Sequence, residues 1–125
     1  MSTKKVLIVD DSVISRMFMR RAVQGSYADW EVIEASNGQE ALVKLAQVEV
    51  DVAFLDLNMP GGINGLSLAK TLKAKSSSVR IALVTANIQS AVREKAEELG
   101  IEFIPKPITD EKIINFLREA DRDGH

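Results

Sequence analysis

Five short apolar runs alternate with segments of helical period along this chain, and that alternation limits its fold more than any other feature. The runs are KVLIV (5–9), WEVIEA (30–35), DVAFLD (51–56), RIALVT (80–85) and EFIP (102–105). The first, third and fourth are nearly continuous in apolar side chains, the pattern of central strands covered on both faces. Between them, Ser12 to Gln24 sets Ile14, Phe18 and Ala22 on one helical face, with Arg16, Arg20 and Arg21 elsewhere. Gln39 to Ala46 presents Ala41, Leu42 and Leu45, and Leu66 to Ala74 presents Leu68, Ala69 and Leu72. Gln89 to Leu99 presents Val92 and Ala96 before stopping at Gly100, and Thr109 to Ala120 presents Ile113, Phe116 and Leu117. Strand followed by helix, five times over, predicts an α/β doubly wound five-stranded parallel sheet with helices on both faces, because right-handed crossovers allow little else. The length suits one domain over 1–120, followed by a polar tail at 121–125.

In such open sheets the ligand crevice lies beyond the carboxyl ends of the strands. The residues that end the strands are therefore the informative ones. They are Asp10 and Asp11, Asp56, Thr85 and Lys106, five functional groups expected on one rim. Three carboxylates gathered within about 4–8 Å repel by roughly 2–4 kcal/mol per pair at an effective dielectric of roughly 20. They must take up protons or hold a cation. Cysteine is absent and the lone histidine is the last residue, so thiolate, zinc and histidine chemistry have no material to work with. Oxygen donors alone point to a hard metal, Mg²⁺ or else Mn²⁺. A carboxylate oxygen left over can attack a phosphoryl group, whose three equatorial oxygens need neutralising. A metal ion, the Lys106 ammonium and the Thr85 hydroxyl match that need.

Taken singly, these residues have plainer readings. Asp11 or Ser12 serves equally as an N-cap for the first helix. Thr85 alone reads as a strand-end hydroxyl, Lys106 as a surface lysine between Pro105 and Pro107, and Phe103 as core. Trp30 reads as the edge of the second strand, and His125 as exposed and silent.

With VDDS (9–12), FLDLNMP (54–60), LVTA (83–86) and FIPKP (103–107) in this order, each at a strand end, the chain resembles the response-regulator receiver domains of two-component signalling. The resemblance covers Lys4 to Glu119 and implies a flavodoxin-like sheet of order 2-1-3-4-5. It implies that Asp56 is the phosphoacceptor. It also implies that Asp11 and Asp56 bind Mg²⁺ directly, with the backbone carbonyl of Asn58 as a third ligand and Asp10 acting through water. Lys106 would contact the phosphoryl oxygens and Thr85 would be the switch hydroxyl, followed by Phe103, whose ring turns inward as Thr85 moves. Ala86 leaves room for a phosphodonor beside the phosphoryl site, Asn58 and Asn87 tune the lifetime of the acyl phosphate, and the Lys106–Pro107 peptide is cis.

The implied function is a phosphorylation switch rather than a conventional enzyme. A histidine kinase, a phosphotransfer protein or a small acyl phosphate would donate to Asp56. The fourth helix, fifth strand and fifth helix would then engage a target protein. The chain ends soon after the fifth helix, which suggests a stand-alone, chemotaxis-like effector, with a phosphorelay intermediate or phosphate sink as the alternative. A Mg²⁺-dependent aspartyl-phosphate phosphohydrolase is a distant rival; it would need an acid where Asn58 stands. A net charge of −2 without a basic stripe argues against nucleic acid. No run reaches membrane-spanning or signal-peptide length, so a cytoplasmic protein without membrane insertion is expected. The chain departs from the family pattern after Asp56, in NMPGGINGL. Four residues rather than three separate Pro60 from Gly65, Asn64 replaces a common aspartate, and Leu57 stands where a tryptophan often reports metal binding. Two adjacent glycines there make that loop permissive.

Overall fold

Each apolar run becomes a strand and each intervening segment a helix. The computed structural model describes residues 3–123. Its elements are β1 (Lys5–Val9), α1 (Val13–Ser26), β2 (Glu31–Ala35), α2 (Gly38–Leu45), β3 (Val52–Leu55), α3 (Gly65–Lys75), β4 (Arg80–Thr85), α4 (Ser90–Leu99), β5 (Glu102–Pro105) and α5 (Asp110–Asp123). The strands form one sheet of order β2-β1-β3-β4-β5, with every neighbouring pair parallel. The doubly wound α/β fold and the order 2-1-3-4-5 are thus as expected. α5 continues to Asp123, so the first residues of the expected polar tail are helical. The reading of His125 as exposed and silent lies outside the described residues.

Side chains alternate across a strand, and this divides the core into two layers. Leu7 and Val9, Ala53 and Leu55, and Ile81 and Leu83 join Leu68, Leu72 and Ala96 beneath α2, α3 and α4. Val6 and Ile8, Val52 and Phe54, and Ala82 and Val84 join Met19, Val23, Ile113 and Leu117 beneath α1 and α5. The Phe54 and Phe116 rings meet edge-on, 5.3 Å between centroids. Val6, Leu7, Ile8 and Val9 are fully enclosed, each contributing roughly 1.5–3 kcal/mol over an exposed position.

Helix ends are set by side chains that satisfy otherwise free backbone groups. Ser12 Oγ accepts from Ser15 N–H at 3.2 Å, Asn37 Oδ1 from Glu40 N–H at 2.8 Å, and Asn64 Oδ1 from Ser67 N–H at 2.9 Å. Glu40 Oε1 accepts in turn from Ser36 N–H at 2.6 Å, one residue before the cap. Asn64, noted above as a departure in sequence, is thus the N-cap of α3.

Two expectations from the sequence need correction. α1 buries Met19, Ala22 and Val23, whereas Ile14 is 61% and Phe18 45% exposed. Both sets fit a 3.6-residue period, and packing against α5 and β1 selects the one rotated towards Met19 and Val23. Trp30 lies before β2 rather than along its edge; it is buried and stacked on Tyr27 with centroids 4.1 Å apart. The lengthened loop after β3 is also anchored. Gly61 and Gly62 take φ of +96° and +85°, a region closed to most residues, and Ile63 then packs against Gly38 at the start of α2.

Candidate functional site

At the carboxyl ends of the central strands the chain passes from apolar to polar within one residue. Val9 of β1 and Leu55 of β3 are register partners, which makes Asp10 and Asp56 neighbours. Both are held by the sheet: Asp56 N–H donates to the Val9 carbonyl at 2.9 Å and Asp10 N–H to the Ala35 carbonyl at 3.1 Å. Carboxylate oxygens of Asp10, Asp11 and Asp56 all lie within 4.8 Å of one another. Asp10 is fully buried, Asp56 is 8% exposed and Asp11 faces solvent.

Lys106 reaches the same place from beyond β5. Its N–H donates to the Thr85 carbonyl at 2.9 Å, which carries the strand pairing one step past Pro105. Its Nζ lies 3.0 Å from Asp10 Oδ2 and 3.3 Å from Asp56 Oδ2. The Lys106–Pro107 peptide is cis, and Lys112 Nζ donates to the carbonyls of Pro105 at 2.9 Å and Pro107 at 3.0 Å on either side. Strand alternation explains the convergence, since Asp10, Asp56 and Lys106 each continue the parity that faces α1 and α5.

The charges in this cluster are unbalanced. Three carboxylates meet one ammonium among the described residues. Burial raises the pKa of Asp56, the Asp10 charge adds to the rise, and Lys106 offsets part of it. For Lys106, burial favours the neutral amine, but the carboxylates of Asp10 and Asp56 outweigh it and hold the pKa above its ordinary value. Asp10 Oδ1 accepts from Ser12 N–H at 2.9 Å. Asp10 Oδ2 is buried and faces the Lys106 ammonium at 3.0 Å. Three clustered carboxylates with oxygen donors only, and one ammonium to balance them, fit a hard divalent cation. Asp10, Asp11 and Asp56 are the side chains able to hold one.

The remaining residues singled out in the sequence surround this cluster. Thr85 is 1% exposed, and its Oγ1 accepts from Asn87 N–H at 3.2 Å, leaving the hydroxyl hydrogen free to donate elsewhere. Asn87 Oδ1 accepts from Gln89 N–H at 3.1 Å at the entry to α4. Asn58 and Ala86 are exposed on the loops after β3 and β4. Phe103 pairs in register with Leu83, two residues before Thr85, and so shares the parity of Thr85 towards α4. Its half-buried ring lies beneath the Arg93 guanidinium, 4.4 Å from the centroid.

Sequence reasoning missed three features here. Gly65 passes so close to Asp56 that a Cβ would collide with the Asp56 carbonyl oxygen; the NGL motif marked a glycine but not the reason for it. Arg16 donates to the Asp10 carbonyl and pairs with Glu34; an acid inside an apolar strand opposite two arginines of α1 was the available clue. Val13, Ile14, Met17 and Phe18 form an exposed apolar surface on α1, directly after Asp11 and Ser12.

A family model described as the response regulator receiver domain matches residues 6–118. The chemotaxis protein CheY of Listeria monocytogenes is 34% identical over 118 residues, covering 93% of this chain and 97% of that protein. An uncharacterized response regulatory protein of Yersinia pestis is also 34% identical, over 95% of this chain, but the chain spans only 49% of its length. Among solved structures, the chemotaxis response regulator CheY4 of Vibrio cholerae superposes with a TM-score of 0.82 at 27% identity, covering 95% of this chain and 99% of that one.

Proposed function

The chain belongs to the response regulator receiver domain family, and from that premise we propose that it is a phosphorylation switch of two-component signalling in which Asp56 accepts the phosphoryl group. The observation that carries the reading is Lys106 Nζ within 3.3 Å of both Asp10 and Asp56, inside a ring of three carboxylates. A histidine kinase, a phosphotransfer protein or a small acyl phosphate is the donor. An Asp56 carboxylate oxygen attacks phosphorus, the bond from phosphorus to the donor nitrogen or oxygen breaks, and the donor leaves with that electron pair. Asp10, Asp11, Asp56 and the backbone carbonyl of Asn58 would hold Mg²⁺, which when bound neutralises phosphoryl charge. Lys106 supplies a fixed ammonium to a second phosphoryl oxygen and the Thr85 hydroxyl a hydrogen bond to a third. Ala86 keeps the approach to that oxygen open, and Asn58 and Asn87 flank the path of a hydrolytic water. The chain assists its own phosphorylation and dephosphorylation and has no separate substrate pocket in this reading.

The exposed apolar surface of α1 beside Asp11 supports a protein as phosphodonor, since contiguous apolar patches mark interaction sites. Similarity to CheY along nearly its whole length supports a chemotaxis-type effector in the cytoplasm. Among the described residues no helix is long and apolar enough to cross a membrane. The target-facing surface in this reading is α4, β5 and α5, because β5, which carries Phe103, is the sheet edge flanked by α4 on one face and α5 on the other.

With acetyl phosphate and Mg²⁺, intact mass should rise by one phosphoryl group, and chelation of the metal should suppress the gain; no adduct in either condition would sink the reading. Thr85→Ala should still accept the group, because the nucleophile and ammonium are untouched, yet lose phosphorylation-dependent binding of the target. Titrating a captured target against both forms checks this, and an unchanged affinity ratio would remove Thr85 from the switch.

A further inference from the structure

We infer that Arg16 is a positioning residue that fixes the acidic end of β1, with Glu34 of β2 as its anchor; this rests on the Mg²⁺ reading above. The backbone of Asp10 is where β1 leaves the sheet. Its N–H is taken by the Ala35 carbonyl, and Ala35 is the last residue of β2, so the Asp10 carbonyl lies past the final strand donor. A buried carbonyl without a donor is costly. Arg16 Nη1 supplies the donor at 2.6 Å. The same guanidinium places Nε 3.1 Å from Glu34 Oε1, so two groups from two strands are joined through one rigid plane, which a lysine cannot reproduce. The side chains of Arg16 and Glu34 are only 16% and 26% exposed, so solvent screens the pair weakly.

Glu34 is itself immobilised from both sides. Arg20 Nη1 binds its other carboxylate oxygen at 2.5 Å, and Lys44 Nζ donates to its backbone carbonyl. Ser12 N–H holds Asp10 Oδ1 and Lys106 faces Oδ2, so the Arg16 contact completes the fixation of Asp10 and sets where Asp11 emerges. Arg20 shares Glu34 with Arg16 but has no bond to Asp10. That difference separates positioning of the acids from general support of the fold.

The test is a Mg²⁺ titration of ¹⁵N-labelled protein followed at the Ser12 and Leu57 amides. Arg16→Met keeps the apolar stem and should weaken binding about tenfold, the scale of an outer-shell loss at a metal site. Arg16→Lys should recover only part of it, and Glu34→Gln should weaken binding in the same direction though it touches no metal ligand. Arg20→Met should bind as wild type. In the metal-free state the Asp10 carbonyl ¹³C signal should move in Arg16→Met and stay in place in Arg20→Met. Equal affinities for wild type and Arg16→Lys or Arg16→Met overturn the inference, as does equal weakening by Arg16→Met and Arg20→Met. A wild-type protein that binds no Mg²⁺ overturns the metal reading itself, and this inference with it.

Discussion

Replacing Asp56 by asparagine is expected to abolish phosphoryl uptake and at the same time to make the metal-free protein more stable at neutral pH. The first effect follows from removing the nucleophilic oxygen; a full-yield adduct on Asp56→Asn, read by intact mass, would exclude Asp56 as the acceptor. The second follows from the electrostatics of the rim. Burial and the Asp10 charge raise the folded-state pKa of Asp56 above its unfolded value. A carboxyl with a raised folded pKa binds its proton more tightly when folded, so it penalises folding as pH climbs from the ordinary aspartate range through the folded pKa, and the penalty persists above it. Two carboxylates with oxygens within 4.8 Å repel by about 3 kcal/mol at an effective dielectric of roughly 20, and Lys106 offsets part of this. The uncharged amide of the Asp56→Asn variant should therefore gain about 1 kcal/mol or more, roughly 3–5 °C in Tm, and the gain should shrink as pH is lowered towards the unfolded pKa. Magnesium should narrow the variant's lead. At tenfold excess over Kd it stabilises wild type by about 1.4 kcal/mol and the variant by less. Calorimetric scans at two pH values, with and without Mg²⁺, check all four corners, and a variant less stable than wild type without metal would contradict this account of the rim.

Gly65→Ala should be the most damaging glycine-to-alanine change among the described residues. Helix propensity alone favours alanine by about 1 kcal/mol, and Gly65 has no positive φ to preserve. Contact decides otherwise, because the added Cβ would overlap the Asp56 carbonyl oxygen and lie 2.9 Å from its carbonyl carbon. Gly38 offers a useful contrast: its obstacle at 2.6 Å is the Ile63 side chain, which can move, whereas the obstacle at Gly65 is the backbone at the end of β3. Relief requires α3 to lift off the sheet, stretching the 3.1 Å bond from Gly65 N–H to the Leu57 carbonyl. A loss of about 2–3 kcal/mol is expected, read as a lower urea midpoint with an unchanged slope. Because the displaced backbone is that of Asp56, phosphoryl uptake should slow as well. A midpoint equal to or above wild type would show that α3 has slack against β3.

Much of this architecture was legible in the sequence because two periodicities carry it. Apolar runs bounded by polar strand ends marked the strands, and their carboxyl ends marked the rim where Asp10, Asp56 and Lys106 meet. What escaped was the kind of information a period does not hold. Ile14–Phe18–Ala22 and Met19–Ala22–Val23 are both acceptable helical stripes, and only the position of α5 chooses between them. Arg16 and Glu34 are eighteen residues apart, with nothing local to link them. Ile63 reads as a loop residue until Gly38 is seen to leave room for it. The tightness at Gly65 is set by the depth at which a helix sits on a strand, a distance no residue pattern encodes.

The alternation that splits the core also separates two kinds of work. Acids, ammonium and the Arg16–Glu34 brace occupy the parity shared with α1 and α5; Thr85, Phe103 and the overlying Arg93 occupy the other. In the proposed reading the sheet is thus a partition with the acceptor chemistry on one side and the Thr85–Phe103 relay on the other, joined at the strand ends where Lys106 N–H meets the Thr85 carbonyl. In that reading, a substitution at Phe103 or Arg93 alters the relay while leaving every acid and the Lys106 ammonium in place.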